Sequence, residues 1–387
     1  MFGWEFPPHI SGGLGTACYG ITKALAEDQD IDLTFVVPKA YGNEPKNRMK
    51  LKGANEVDLI TSKIEKKHFK VPFTYVAVES GLVPYVDPAD YEKFVQEKTR
   101  AENFPLEKSQ NPLEFTGKYG PNLMTEIHNF SIIAEHLAKQ EEYDIIHAHD
   151  WLTFPAGIMA KKATGKPLVA HVHATDFDRS GGSVNQEVFE MEKAGMNAAD
   201  GIIAVSHHTR RIIAEKYEIP ASKIFTVHNG VEPLNFKAAG KRIKPEKKPV
   251  VTFLGRITLQ KGPQYFVDLA KKVLSKLPNV EFVMAGSGDM MKPMMELVNH
   301  LGISNKFHFP GFLRGEEVWK MLARSDVYIM PSVSEPFGIS PLEAMQCRVP
   351  VIISKQSGVS EVIHHAIKLD FWDTDAMADA VYNILHR

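Results

Sequence analysis

Short apolar runs of strand length recur along this chain, and in both halves they alternate with segments of helical period. In the first half the runs include Leu33–Val37, Ile145–Ala148, Leu168–His173 and Gly201–Val205. In the second they include Val250–Leu254, Val280–Ala285, Val327–Met330 and Val349–Ile353, with amphipathic stretches such as Gln264–Lys276 and Met291–Leu301 between them. Strands separated by helices cannot pair as hairpins, so the alternation predicts α/β layers with parallel sheets. At 387 residues the chain has room for two such layers, on a prior of roughly 150 residues per domain. The predicted architecture is therefore two Rossmann-like domains facing each other across a cleft.

Glu232–Pro249 carries prolines among lysines and has neither period, which marks it as a connection. The expected division is a first domain over 1–232, a linker over 233–249, a second domain over 250–373 and a final helix over 374–387. The stretch from Lys39 to Phe130 is charged and broken by proline and glycine, with Phe73–Val78 as its clearest strand. It reads as an elaboration of the first lobe. Both ends read as trimmed: only Met1–Trp4 precede Glu5-Phe6-Pro7-Pro8, and the last helix, Asp375–His386, runs to the end of the chain.

Composition narrows the class. Apolar residues at 44% and charged residues at 24% suit a soluble globular protein. A net charge of -2 gives no global attraction to nucleic acid or to an anionic membrane surface, so any phosphate site must arise from local charge. Cys18 and Cys347 lie far apart without zinc spacing, which favours a reducing cytoplasm. No run reaches the roughly 18 apolar residues of a membrane span.

Five segments carry chemistry. His9-Ile10-Ser11-Gly12-Gly13-Leu14-Gly15 precedes the helical run Thr16–Leu25. Glycines at a strand-to-helix turn allow close backbone approach and expose helix-start amides to an anion, though a plain tight turn fits equally well. The six-residue dinucleotide fingerprint is absent, which argues against a nicotinamide site. His147-Ala148-His149-Asp150-Trp151 and Ala170-His171-Val172-His173-Ala174-Thr175-Asp176 both close apolar strands, at the carboxyl edge where ligands gather. Neither these histidines nor Asp176-Phe177-Asp178 has a third metal ligand at a convincing spacing, so no metal is expected.

Gly255-Arg256-Ile257-Thr258-Leu259-Gln260-Lys261-Gly262 follows Val250–Leu254 and places two cations five apart, which suits a diphosphate. Finally, Ser334–Met345 brackets a glycine turn with two carboxylates eight positions apart, Glu335 and Glu343, directly before a helix start. Amides there can face a phosphate, while the glutamates can accept hydrogen bonds from sugar hydroxyls. Nucleotide-sugars need both kinds of contact. His228-Asn229-Gly230, Gly286-Ser287-Gly288 and Gly311-Phe312-Leu313 also follow strand-like runs, where ordinary turns are the simpler reading.

Taken in this order, the motifs resemble the retaining glycosyltransferases of GT-B architecture, in particular family four and the glycogen and starch synthases. That resemblance implies a role for each matching residue. Glu335 would contact the donor sugar and Glu343 the ribose. Arg256 and Lys261 would neutralise the diphosphate, with backbone amides of Gly338 and Ile339 beside it. Phe312 and Leu313 would flank the base. His173 would lie near the sugar's 6-hydroxyl, Asp150 near the reacting sugar, and Gly12 and Gly13 near the phosphates and acceptor. Starch-type synthases carry Lys where this chain has Ile10, which favours the broader family-four group. In this architecture the C-terminal helix crosses back to brace the first domain, so the resemblance implies that course for 374–387.

The function implied is transfer of a hexose, glucose in first place, from a nucleoside-diphosphate sugar to a glycan, with anomeric retention and no metal or cofactor. An acceptor on a lipid-linked or surface-polysaccharide precursor is the alternative, with membrane association peripheral at most. Two readings from other classes stay open: a nucleotide-sugar epimerase of the same fold, and a non-catalytic sugar-nucleotide-binding protein.

Overall fold

The computed structural model describes residues 1–10, 12–45, 48–57, 115–233 and 248–386. The expected strand Phe73–Val78 and nearly all of the expected linker lie outside these residues.

The first sheet contains β1 (Thr34–Val37), β2 (Lys50–Gly53), β3 (Ile146–His149), β4 (Leu168–Val172), β5 (Gly201–Ala204) and β6 (Ile224–Thr226). Every ladder in it is parallel. Between β1 and β3 runs the segment Met1–Gly3. Phe2 bridges to both Val36 and Ala148, and its N–H donates to His147 O at 2.8 Å while Gly3 N–H donates to Val36 O at 3.0 Å. The short opening run is thus an interior strand, held on both sides. The spatial order is β2, β1, Met1–Gly3, β3, β4, β5, β6.

The second sheet contains β7 (Val250–Leu254), β8 (Glu281–Ala285), β9 (Phe307–Gly311), β10 (Val327–Met330), β11 (Val351–Ser354) and β12 (Ile367–Leu369). It is parallel throughout, in the order β12-β11-β10-β7-β8-β9. This is a doubly wound sheet, and the chain reverses direction between β7 and β10. Such a switch point opens a crevice at the carboxyl ends of those two strands. All residues of β10 and β11 are buried, as expected of strands covered on both faces.

Helices clothe the sheets. Around the first are α1 (Gly13–Glu27), α2 (Leu123–Gln140), α3 (Phe154–Thr164), α4 (Asp176–Ser180), α5 (Gln186–Ala198) and α6 (His207–Lys216). Around the second are α7 (Pro263–Lys276), α8 (Met291–His300), α9 (Glu316–Leu322), α10 (Ser340–Gln346) and α11 (Thr374–Leu385). Helix α7 starts with proline at its first position, where the missing N–H costs nothing. It buries Phe266, Leu269, Ala270 and Val273, a helical stripe facing the sheet.

Two expectations need correction. Lys39–Phe130 is not only an elaboration, because β2 adds to the first sheet and α2 begins within it. The last helix does not cross to the first lobe. In α11, Met377, Ala378, Ala380 and Val381 join the core beneath α7, and Lys272 and Lys276 of α7 pair with Asp375 at 2.9 Å and Asp379 at 2.7 Å. Its apolar face is satisfied within its own lobe. Cys18 and Cys347 are both buried and free. Among the described residues no helix is long and apolar enough to cross a membrane.

Phe266 is fully buried at the centre of an aromatic group, with ring centroids 5.6 Å from Phe253 and 5.8 Å from Phe282. Phe266→Ala should destabilise the second lobe by about 3–5 kcal/mol, read from the midpoint of chemical denaturation.

Candidate active site

At the switch point of the second sheet, the loop after β7 carries Arg256 and Lys261 and the loop after β10 carries Glu335. Lys261 Nζ forms an ion pair with Glu335 Oε2, and Ser332 Oγ donates to the same oxygen at 3.2 Å. Glu335 is buried, and its main chain is fixed as well. Its N–H donates to Gln356 O, and its carbonyl accepts from Gly358 N–H, both at 2.9 Å. Arg256 Nη2 donates to Gln260 Oε1 at 3.0 Å. The turn directly after Lys261 requires glycine at 262. Its φ is +63°, and a Cβ there would lie 2.2 Å from Pro331 O. That close approach brings the Lys261 turn against the loop that bears Glu335.

Glu343 lies one turn into α10, half-buried. Burial pushes its carboxyl up to about 7. Tyr328 of β10 is fully buried, and its hydroxyl donates to Ser340 Oγ at 2.7 Å. Burial raises its phenol far above the ordinary range, and the charges of Glu335 and Glu343 add to that. Gly338 adopts φ +94° just ahead of Ile339. Phe312 and Leu313 sit farther out, on the loop after edge strand β9, with Arg314 stacked over the Phe312 ring at 5.4 Å.

The first lobe brings its own carboxyl edge to this place. Gly12 faces Arg256, where a Cβ would stand 3.9 Å from Arg256 Cδ. Helix α4 packs against the turn Leu259–Lys261. Ser334 Oγ donates to Asp178 Oδ1 at 2.5 Å and lies 3.2 Å from His208 Nε2. Glu361 of the second lobe accepts from His207 N–H and His208 N–H at 2.8 Å each, capping α6, and its Oε2 lies 2.7 Å from His228 Nε2. Burial raises the Glu361 carboxyl, but these donors outweigh it and hold it below the usual range.

Asp150 is buried with its backbone in the left-handed region, φ +61°, which is unusual for a residue with a Cβ. The conformation turns its carboxylate back onto the end of β4, where Oδ1 accepts from His173 N–H at 2.6 Å. Burial pushes this carboxyl up to about 6, against the pull of Arg179 and the two backbone N–H groups of His173 and Ala174. Arg179 in turn lies in a buried network, pairing with Glu192 and reaching Asp176 at 3.6 Å. Burial lifts Glu192 to about 7 even so.

Histidines 147, 149, 171 and 173 all project from one face of β3 and β4, where His149 and His171 are in register. Their rings stack, with centroids 4.3 Å apart for His147–His149 and 4.2 Å for His171–His173. His149 Nδ1 lies 2.9 Å from His173 Nε2, and His147 Nε2 lies 3.2 Å from His171 Nδ1. Burial depresses all four, with His147 and His173 lowered to about 3. The ladder is therefore neutral at physiological pH.

Spacing along the sequence suggested no third metal ligand, but the fold supplies some. Ligating atoms of Cys18, His149 and His173 lie within 4.8 Å of one another, as do those of His147, His149 and His171 and those of His207, His228 and Glu361. The mutual hydrogen bonds in the ladder already use one nitrogen of each ring.

The structure thus gathers Arg256, Lys261, Glu335, Gly12 and the segment after His173 around one cleft. Glu343 and Gly338 adjoin it, while Phe312 and Leu313 stand at its outer end. Sequence reasoning missed Asp178, His208, Ser334 and Glu361. Asp178 belongs to a three-residue acidic pattern too common to single out, and Glu361 lies in no motif.

Comparison with known proteins agrees with this architecture. Residues 236–387 match the model for glycosyl transferases group 1, and residues 98–233 match that for glycosyltransferase family 4. An uncharacterised glycosyltransferase of Methanocaldococcus jannaschii is 28% identical over 381 residues, covering 95% of this chain and 83% of that one. The glycogen synthase of Mycobacterium tuberculosis is 24% identical over 377 residues, covering 94% and 79%. The solved sucrose-phosphate synthase from Thermosynechococcus elongatus superposes with a TM-score of 0.67 at 18% identity, over 97% of this chain and 84% of that one. Two Rossmann-like domains of this kind define the GT-B class. The chain belongs to its family-four glycosyltransferases.

The histidine ladder predicts a specific pH response. An unfolded chain protonates His171 near the ordinary 6.5, whereas the folded one keeps it neutral to well below that. Between the two values the unfolded state binds the extra proton, so stability falls as pH drops below 6.5. The slope is at most about 1.4 kcal/mol per pH unit for one group. His171→Asn keeps an acceptor for His147 and removes the titration. Denaturation from pH 7 to 5 should therefore lose stability less steeply in this variant than in the wild type.

Proposed function

We propose that this glycosyltransferase moves a hexose, glucose in first place, from a nucleoside-diphosphate sugar to a glycan hydroxyl with retention at the anomeric carbon. The observation that carries this reading is the Lys261–Glu335 ion pair at the β7/β10 switch point, with Arg256 beside it facing Gly12 across the cleft. Before the donor arrives, the two charges compensate each other. An incoming diphosphate competes for Lys261 and leaves the Glu335 carboxylate to accept hydrogen bonds from sugar hydroxyls. Arg256 adds a planar fork suited to phosphate oxygens.

As the glycosidic bond to the diphosphate breaks, negative charge builds on the leaving oxygens. Cations fixed in place beforehand stabilise that charge more than the ground state. The acceptor hydroxyl attacks from the leaving-group side and gives its proton to the departing diphosphate oxygen, which accounts for retention. His173, held through its N–H by Asp150, borders the sugar, and Glu343 binds the ribose. Gly12 and Gly13 approach the phosphates and acceptor, the amides of Gly338 and Ile339 face the phosphate, and Phe312 and Leu313 flank the base. Side-chain cations supply the neutralisation, so the reaction proceeds without a metal. The glycogen synthase relative supports glucose and a glycan acceptor.

Lys261→Ala should slow donor turnover by about a hundredfold, close to 3 kcal/mol of transition-state stabilisation. Glu335→Ala should act mainly on kcat and Glu343→Ala mainly on donor affinity. Near-wild-type rates for both Glu335→Ala and Lys261→Ala would overturn the site. Excess EDTA should leave transfer unchanged, and a drop restored by added Mg²⁺ or Mn²⁺ would show a metal at work. Screening UDP-, ADP- and GDP-sugars against maltooligosaccharides and lipid-linked acceptors reads out the substrates. Release of a free altered sugar without acceptor would instead indicate an epimerase.

A further inference from the structure

Both chain neighbours of Glu335 are held by the opposite lobe. On one side, Ser334 Oγ donates to Asp178 Oδ1 at 2.5 Å, with His208 Nε2 3.2 Å from the same hydroxyl. On the other, Thr209 Oγ1 donates to Pro336 O at 3.3 Å. The acceptor is rigid. Asp178 is buried, and its second oxygen takes Thr175 N–H at 2.9 Å and Thr175 Oγ1 at 2.8 Å. Thr209 is fully buried and fixed through its own N–H, which donates to Ser206 Oγ at 2.9 Å. Among the described residues of the second lobe, the Glu335 carboxylate is held only by Lys261 and Ser332, and Lys261 is the group a diphosphate would draw away.

We propose that Asp178 and Thr209 of the first lobe, with His208, are positioning residues for Glu335, gripping Ser334 and Pro336 so that the carboxylate reaches its working orientation only when the lobes are closed. This rests on the assignment of Glu335 to the donor sugar. Closure then does more than exclude water, because it completes the placement of a group that belongs to the other domain. The grip acts on orientation and not on the nucleotide contacts, so it should appear in kcat and leave donor binding alone.

Ser334→Ala and Thr209→Val test the two halves, and both nearly preserve volume, so thermal denaturation should confirm folded protein. The donor is whichever of UDP-glucose and ADP-glucose the wild type consumes faster. Each variant should lower kcat by about tenfold, the loss expected for one hydrogen bond to a fixed partner, with KM for the donor changed by less than about twofold. Ser334→Thr, which keeps a hydroxyl, should restore most of the rate. Donor affinity by calorimetry should match the wild type in all three. Glu335→Gln separates this idea from the reading beneath it. If Glu335→Gln is inactive while Ser334→Ala and Thr209→Val keep wild-type kcat, the positioning role is overturned and the site stands. A changed KM with unchanged kcat overturns it equally. If Glu335→Gln itself turns over donor normally, both ideas fall.

Discussion

Parallel strands govern almost everything in this molecule. A parallel pair cannot be closed by a hairpin, so each strand is followed by a crossover that returns the chain to the same end of the sheet. All strand carboxyl ends therefore lie on one edge, and residues far apart in sequence meet there. Lys261 and Glu335 are 74 positions apart, and Asp178 and Ser334 are 156 apart. Both sheet faces are covered, so this edge and the loops leaving it are where the charged groups of the site gather.

Burial sets what those polar groups are. The four ladder histidines can occupy a strand face because low dielectric and mutual proximity keep them neutral. Arg179, Asp176 and Glu192 remain buried by forming a network, in which Tyr217 also donates to Glu192. Such networks add little net stability relative to apolar packing, yet removing one member leaves an uncompensated charge. Their contribution here is geometric: they fix the ends of β3 and β4, where Asp150 and His173 stand.

Much of the fold was legible because apolar period and turn chemistry agree. Val250–Leu254 is a strand over the full span expected, and Gln264–Lys276 falls within α7. Lys50–Gly53 escaped notice because an edge strand reading Lys-Leu-Lys-Gly needs no apolar alternation. Met1–Gly3 is too short to register as a strand, although pairing on both sides gives it a central position. At the site, Arg256, Lys261 and Glu335 stood out because charge beside glycine after an apolar run is uncommon. Ser334, Asp178 and Glu361 did not, since hydroxyls and carboxylates occur everywhere and only the docking of one lobe on the other makes them partners. The third member of each histidine group was hidden for the same reason, since it comes from another element: His171 from β4, Cys18 from α1 and Glu361 from the opposite lobe.

One contact between the lobes leaves no room for a side chain. A Cβ on Gly358 would lie 2.5 Å from Ser206 Cβ and 2.2 Å from Pro336 O, so the surfaces meet there with no spare volume. Only glycine fits at 358 without shifting Ser206 or the Pro336 carbonyl, so the close seating of the second lobe on the start of α6 depends on one missing side chain. A side chain added at 358 would have to displace either the Ser206 end of α6 or the turn that carries Glu335, so the spacing of the lobes and the seat of that carboxylate hang on the same atom-sized gap.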